Sequence, residues 1–139
     1  MRLSFEGLAS ASTSTQLPAG PYAFEIDLVN GEYESPNTGS KALEIKCHIV
    51  DGVDFDDGSS TVGLQRTLRF WHPAGDQKDG GKFCLGRINE FVLACGLDTG
   101  DDGFDDEDLV GRKFKARCRI KKDKKTDRDN EEFDKFGAY

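Results

Sequence analysis

KFCLGRINEFVLAC, Lys82–Cys95, is the stretch on which the fold turns. Cys84, Ile88, Phe91, Val92 and Cys95 recur at helical spacing and make one apolar face. Gly96 follows as a natural C-terminal cap. No other stretch of the chain reads as an amphipathic helix. What precedes and follows it reads as strand.

Upstream, Tyr22–Val29 alternates Tyr22, Phe24, Ile26 and Leu28 against Glu25 and Asp27, the period of a half-buried strand. Leu17-Pro18-Ala19-Gly20-Pro21 is the turn that opens it. Residues 30–41 (NGEYESPNTGSK) read as a mobile loop. Ala42–Val50 sets Leu43, Ile45, Cys47 and Ile49 against Glu44, Lys46 and His48, and ends at the turn signal Asp51-Gly52. Gly63–Trp71 places Leu64, Leu68 and Phe70 inward, with Gln65, Thr67, Arg69 and Trp71 outward. Downstream, Lys113–Lys122 sets Phe114, Ala116, Cys118 and Ile120 against Lys113, Lys115, Arg117, Arg119 and Lys121. A last strand covers about Glu131–Phe136. Three strands, a helix between strands 3 and 4, then two strands predict an all-β domain with one helix. This is the chain order of a five-stranded OB-like Greek-key barrel, with the helix plugging its open end.

The 139 residues fit one domain, large enough to fold without metal or disulfides. Residues 1–16 read as a loosely ordered arm, with Phe5 and Leu8 tucked against the barrel. Glu6 breaks the apolar stretch a signal peptide would need. No apolar run approaches the ~20 residues of a membrane span. A cytoplasmic protein is expected. Cys47, Cys84, Cys95 and Cys118 form no CxxC and all fall on inward positions, so they are expected to be reduced core residues.

The net charge is −7, but the charges are segregated. Asp98, Asp101, Asp102, Asp105, Asp106, Glu107 and Asp108 form one acidic run. Residues 112–125 hold nine of the nineteen Lys and Arg, opposed only by Asp123. Five outward cations on one strand repel one another unless neutralised. The partner is a phosphate backbone, an acidic segment of the same chain (residues 98–108 or 127–134), or both, the acidic segment covering the groove until DNA displaces it. The acidic run starts like an EF-hand, yet its third position is Gly100 and its twelfth Leu109, so no metal site is expected. No P-loop, GxSxG or HExxH is present, and neither histidine sits in a nucleophile motif. An enzyme finds no support, and no cofactor is expected.

On OB-type barrels, single strands commonly lie on strands 2–3 and between the loops after strands 1 and 4. Here those places carry Tyr33, Lys41, Lys46, His48, Arg69 and Trp71, then Lys113, Lys115, Arg117, Arg119, Lys121 and Lys122. Cations engage phosphates, and an aromatic ring stacks on an exposed base. Trp71 is the expected stacking residue, with Tyr33 or His48 beside it.

Several short motifs also carry a resemblance. They are M-x-L-x-F at Met1–Phe5, L-P-A-G-x-Y at Leu17–Tyr22, G-x-K-x-L at Gly39–Leu43 and V-D-G at Val50–Gly52. Later come an aromatic strand end before proline at Phe70–Pro73, A-C-G at Ala94–Gly96, L-x-G-R-x-F at Leu109–Phe114, and Asn130-Glu131 before an aromatic. Together they resemble a family of small phage proteins encoded among replication and recombination genes. The resemblance implies single-stranded DNA binding on an OB-like barrel, in support of phage replication or recombination. Partners would be single-stranded DNA and phage or host replication and recombination proteins, with room for a homo-oligomer. Two other readings stay open: a protein-interaction module that recruits such enzymes, and an acidic mimic of DNA.

Overall fold

The computed structural model describes residues 16–74, 80–98, 103–125 and 129–139. The expectations for Phe5, Leu8, Asp101 and Asp102 lie outside these residues. Five strands and one helix follow in the order β1 (Gly20–Glu34), β2 (Lys41–Gly52), β3 (Gln65–Trp71), α1 (Lys82–Ala94), β4 (Lys113–Lys122) and β5 (Asp129–Ala138). The strands form one antiparallel sheet in the order β3-β2-β1-β4-β5. Among the described residues no helix is long and apolar enough to cross a membrane.

The alternating patterns produce the core directly. Tyr22, Phe24 and Ile26 of β1, Leu43, Ile45, Cys47 and Ile49 of β2, and Phe114, Ala116 and Cys118 of β4 are all buried. Phe91 of α1 stacks on Phe70 at 4.5 Å and meets Phe114 edge-on at 4.9 Å, while Phe24 stacks on Phe114 at 5.3 Å. Each such ring contributes about 1.5–3 kcal/mol by leaving water. The helix ends in a Schellman turn: Leu97 N donates to Val92 O and Gly96 N to Leu93 O, with Gly96 at φ 83°. Arg112 Nη1 donates to the Cys95 and Gly96 carbonyls, so this cation is committed to the helix end.

Four expectations need correction. Leu28 is 55% exposed, not inward. A bulge inserts Asp27 between the pairs Ile26–Cys47 and Leu28–Lys46, and the extra residue turns Leu28 to the outer face. Residues 30–34 are strand, not loop, because β1 continues along β2 to the pair Glu34–Lys41. Glu44 has outward parity yet is buried beneath Arg69. Cys84 is only half-buried, whereas Cys47, Cys95 and Cys118 are core; burial pushes the Cys47 and Cys95 thiols up to about 12 and the Cys118 thiol to about 11.

The sheet's two edges, β3 and β5, meet through side chains. Arg66 Nε donates to Glu131 Oε1 at 2.8 Å and Nη2 to Oε2 at 3.1 Å. Leu17 N donates to the same carboxylate at 2.7 Å. Phe70 meets Phe136 edge-on at 5.3 Å.

Candidate nucleic-acid interface

On the outer face of the sheet, the register sets three residues in one row. Tyr33 of β1 and Trp71 of β3 both pair with Ala42 of β2. Ala42 is fully buried although its parity is outward, because a ring flanks it on each side. Trp71 itself stays 40% exposed. The next row is Asn30, Glu44 and Arg69. Arg69 Nε donates to Glu44 Oε2 at 3.0 Å, and its guanidinium lies 4.3 Å from the Tyr33 ring centre. Glu44 thus fixes a guanidinium plane against an aromatic face. Lys41 sits at the end of β2 with Nζ 3.6 Å from Glu32, both side chains well exposed.

A third row holds Leu28, Lys46 and Thr67. It borders a cleft of about 590 Å³ also lined by Asp27, Arg66, Asp129, Asn130 and Glu131. Asn130 and Asp129 pair with Lys121 and Lys122 across the β4–β5 ladder. The cleft therefore runs from the β2–β3 face to the start of β5, the strand that pairs with the basic one. Tyr33, Arg69 and Trp71 come together on the outer face, and Lys46 lines the cleft beyond them. Lys41 pairs with Glu34 on the opposite parity, and Lys121 and Lys122 stand across the ladder from the cleft residues Asn130 and Asp129.

His48 is not part of the aromatic row. It lies six residues along β2 from Ala42, about 20 Å at strand rise. Its Nδ1 meets Asp27 Oδ1 at 2.8 Å and Oδ2 at 2.9 Å, and its Nε2 is 3.5 Å from Glu25 Oε2.

The basic strand is partly neutralised from within. Arg117 Nε and Nη2 donate to the two oxygens of Asp134 at 2.9 and 2.8 Å. Arg119 lies 3.6 Å from Asp134 and 4.0 Å from Glu132. The Arg117 hydrogen bonds hold the Asp134 carboxyl below its ordinary range. Of the two acidic segments considered as partners, the described carboxylate contacts to β4 come from Glu132 and Asp134. Lys113 lies over the Tyr139 ring at 5.0 Å, across from Glu25. Lys115 and Lys121 are exposed.

Sequence reasoning missed the Arg66–Glu131 pair that links the two sheet edges. The signal was there: Arg66 falls on the same parity as Leu64, Leu68 and Phe70. A cation on an apolar parity needs a buried carboxylate, and both of these side chains are 17% exposed.

Compared with models of protein families and with curated protein sequences, the chain finds no match.

Proposed function

We propose that this protein is a non-catalytic, sequence-tolerant single-stranded DNA binder with the architecture of a partly open OB-like barrel. The sheet order β3-β2-β1-β4-β5, with side chains of the two edges in contact, supports that architecture. The observation that carries the function is the Tyr33–Ala42–Trp71 row with Arg69 stacked beside it. A folding domain gains little from a tryptophan left 40% exposed on a sheet. A base gains a stacking surface. Trp71 is the stacking platform, and Tyr33 and Arg69 form a second planar surface. Lys46, which lines the cleft, and the exposed Lys41, Lys121 and Lys122 hold phosphates. Phage replication or recombination is the setting the sequence motifs favour.

The net charge of −7 limits binding to this local path, so affinity should fall steeply with salt. Contact with roughly four phosphates gives a slope of log K against log salt of about −3. Filter binding of an oligo-dT at several salt concentrations tests this. A flat salt response contradicts it.

A protein-interaction module remains the second reading, favoured by exposed Phe83 (69%), Leu85 (58%) and Leu93 (48%) on α1. Capture of a replication or recombination protein without DNA, lost on Phe83→Ser with Leu85→Ser, would favour it.

A further inference from the structure

Glu25, Asp27 and His48 form the one group among the described residues whose histidine and carboxylate donor atoms all lie within 4.8 Å of one another. The group is built by the β1 bulge. Glu25 pairs with His48 across the β1–β2 ladder, and the inserted Asp27 brings a second carboxylate to the same ring. The two carboxylates meet different nitrogens. Asp27 takes Nδ1 with both oxygens, at 2.8 and 2.9 Å, which directs the lone pair of a neutral ring to Nε2. Nε2 faces Glu25 Oε2 at 3.5 Å. Without a third party, that lone pair points at a negative oxygen.

We propose that His48 Nε2 and the Glu25 carboxylate bind a divalent transition-metal ion of the zinc class, with Asp27 as the outer carboxylate that orients the ring. Three features carry this. Zinc ligands lie at about 2.0–2.2 Å in a tetrahedron, whose ligand-to-ligand edge is then about 3.4 Å, the separation already present between Nε2 and Oε2. A carboxylate on the far nitrogen of a ligating imidazole is the usual outer partner in such sites. Imidazole with carboxylate suits zinc and its neighbours better than calcium or magnesium, which take oxygen. The other bordering groups are Lys113, paired with Glu25 on β4, Gln65, paired with His48 on β3, and Lys46 on the same outer face. Two protein ligands leave open coordination positions for water, so the site is an exchangeable one. The inference does not depend on DNA binding.

Histidine-ring nitrogen NMR during titration with zinc chloride tests it, since the chain has just two histidines and His72 serves as the internal control. A Cys84→Ser background removes the half-buried thiol. The His48 Nε2 signal should shift and saturate at one equivalent while His72 stays still. Glu25→Gln should abolish saturation, and Asp27→Asn should weaken binding about 10–100-fold. Backbone spectra of both variants report whether the fold is kept. A His48 signal unmoved by millimolar zinc, as for an imidazolium bridging two carboxylates, would overturn the proposal. So would wild-type affinity in a folded Glu25→Gln variant.

Discussion

Two regions of the outer surface look equally suited to DNA by residue count, yet they are organised differently. The β2–β3 end has one guanidinium, two rings and a few lysines, and its single buried carboxylate serves to aim Arg69. The β4–β5 face has the densest positive run in the chain, and its arginines are answered by Asp134 and Glu132. Cationic residues in a sequence are therefore not the same as cationic surface available to a ligand. What decides is the residue opposite each cation in the ladder, and on β4 that residue is often acidic.

The β3–β5 contact ties the two regions together, and breaking it should have the largest effect. Glu131→Gln removes the charge and turns one of the two oxygens that accept from Arg66 and the Leu17 amide into an NH2 donor. A loss of about 2 kcal/mol is expected in chemical denaturation, with Arg66→Met in the same background costing far less than alone. Next comes Trp71→Ala, which should weaken oligo-dT binding about tenfold or more. Tyr33→Ala should weaken it less, since Glu44 still holds Arg69. Equal affinity in a folded Trp71→Ala protein would move the site to the basic strand.

Asp134→Asn sharpens the contrast from the other side. It removes the charge opposite Arg117 and one of that residue's two acceptors, and weakens the hold on Arg119. If this face adjoins the DNA path, binding should tighten about two- to threefold, with the salt slope steeper by about 0.7 for each phosphate gained. Unchanged affinity would confine the interface to β2–β3. The smallest effect concerns pH. The folded carboxyl of Asp134 titrates below its unfolded value, so its stabilisation is present above the unfolded value and fades as pH falls through the folded one. Denaturation across that acid window should show a shallower loss in Asp134→Asn than in wild type. Parallel curves would mean that the Arg117 pair adds nothing in solution.

Much of this was legible in the residues. Alternation named nearly every core side chain of the strands, and the spacing in Lys82–Cys95 with Gly96 behind it gave the helix and its cap. Trp71 was readable as outward because Leu68 and Phe70 fix the parity of β3. Leu28 was not, because one bulged residue reverses parity and no pattern announces it. Nor was Tyr33's place in a strand: Asn, Gly and Glu read as loop, yet pairing to β2 holds them extended. The neutralisation of Arg117 depends on a register between β4 and β5 that composition does not encode.

Fluorescence of the single tryptophan tests the central claim most directly. Titration with unlabelled oligo-dT at low and moderate salt should quench Trp71, saturate, and shift to weaker binding as salt rises. Unchanged emission at low salt, under conditions where a gel shift detects binding, would contradict the account by taking Trp71 out of the interface.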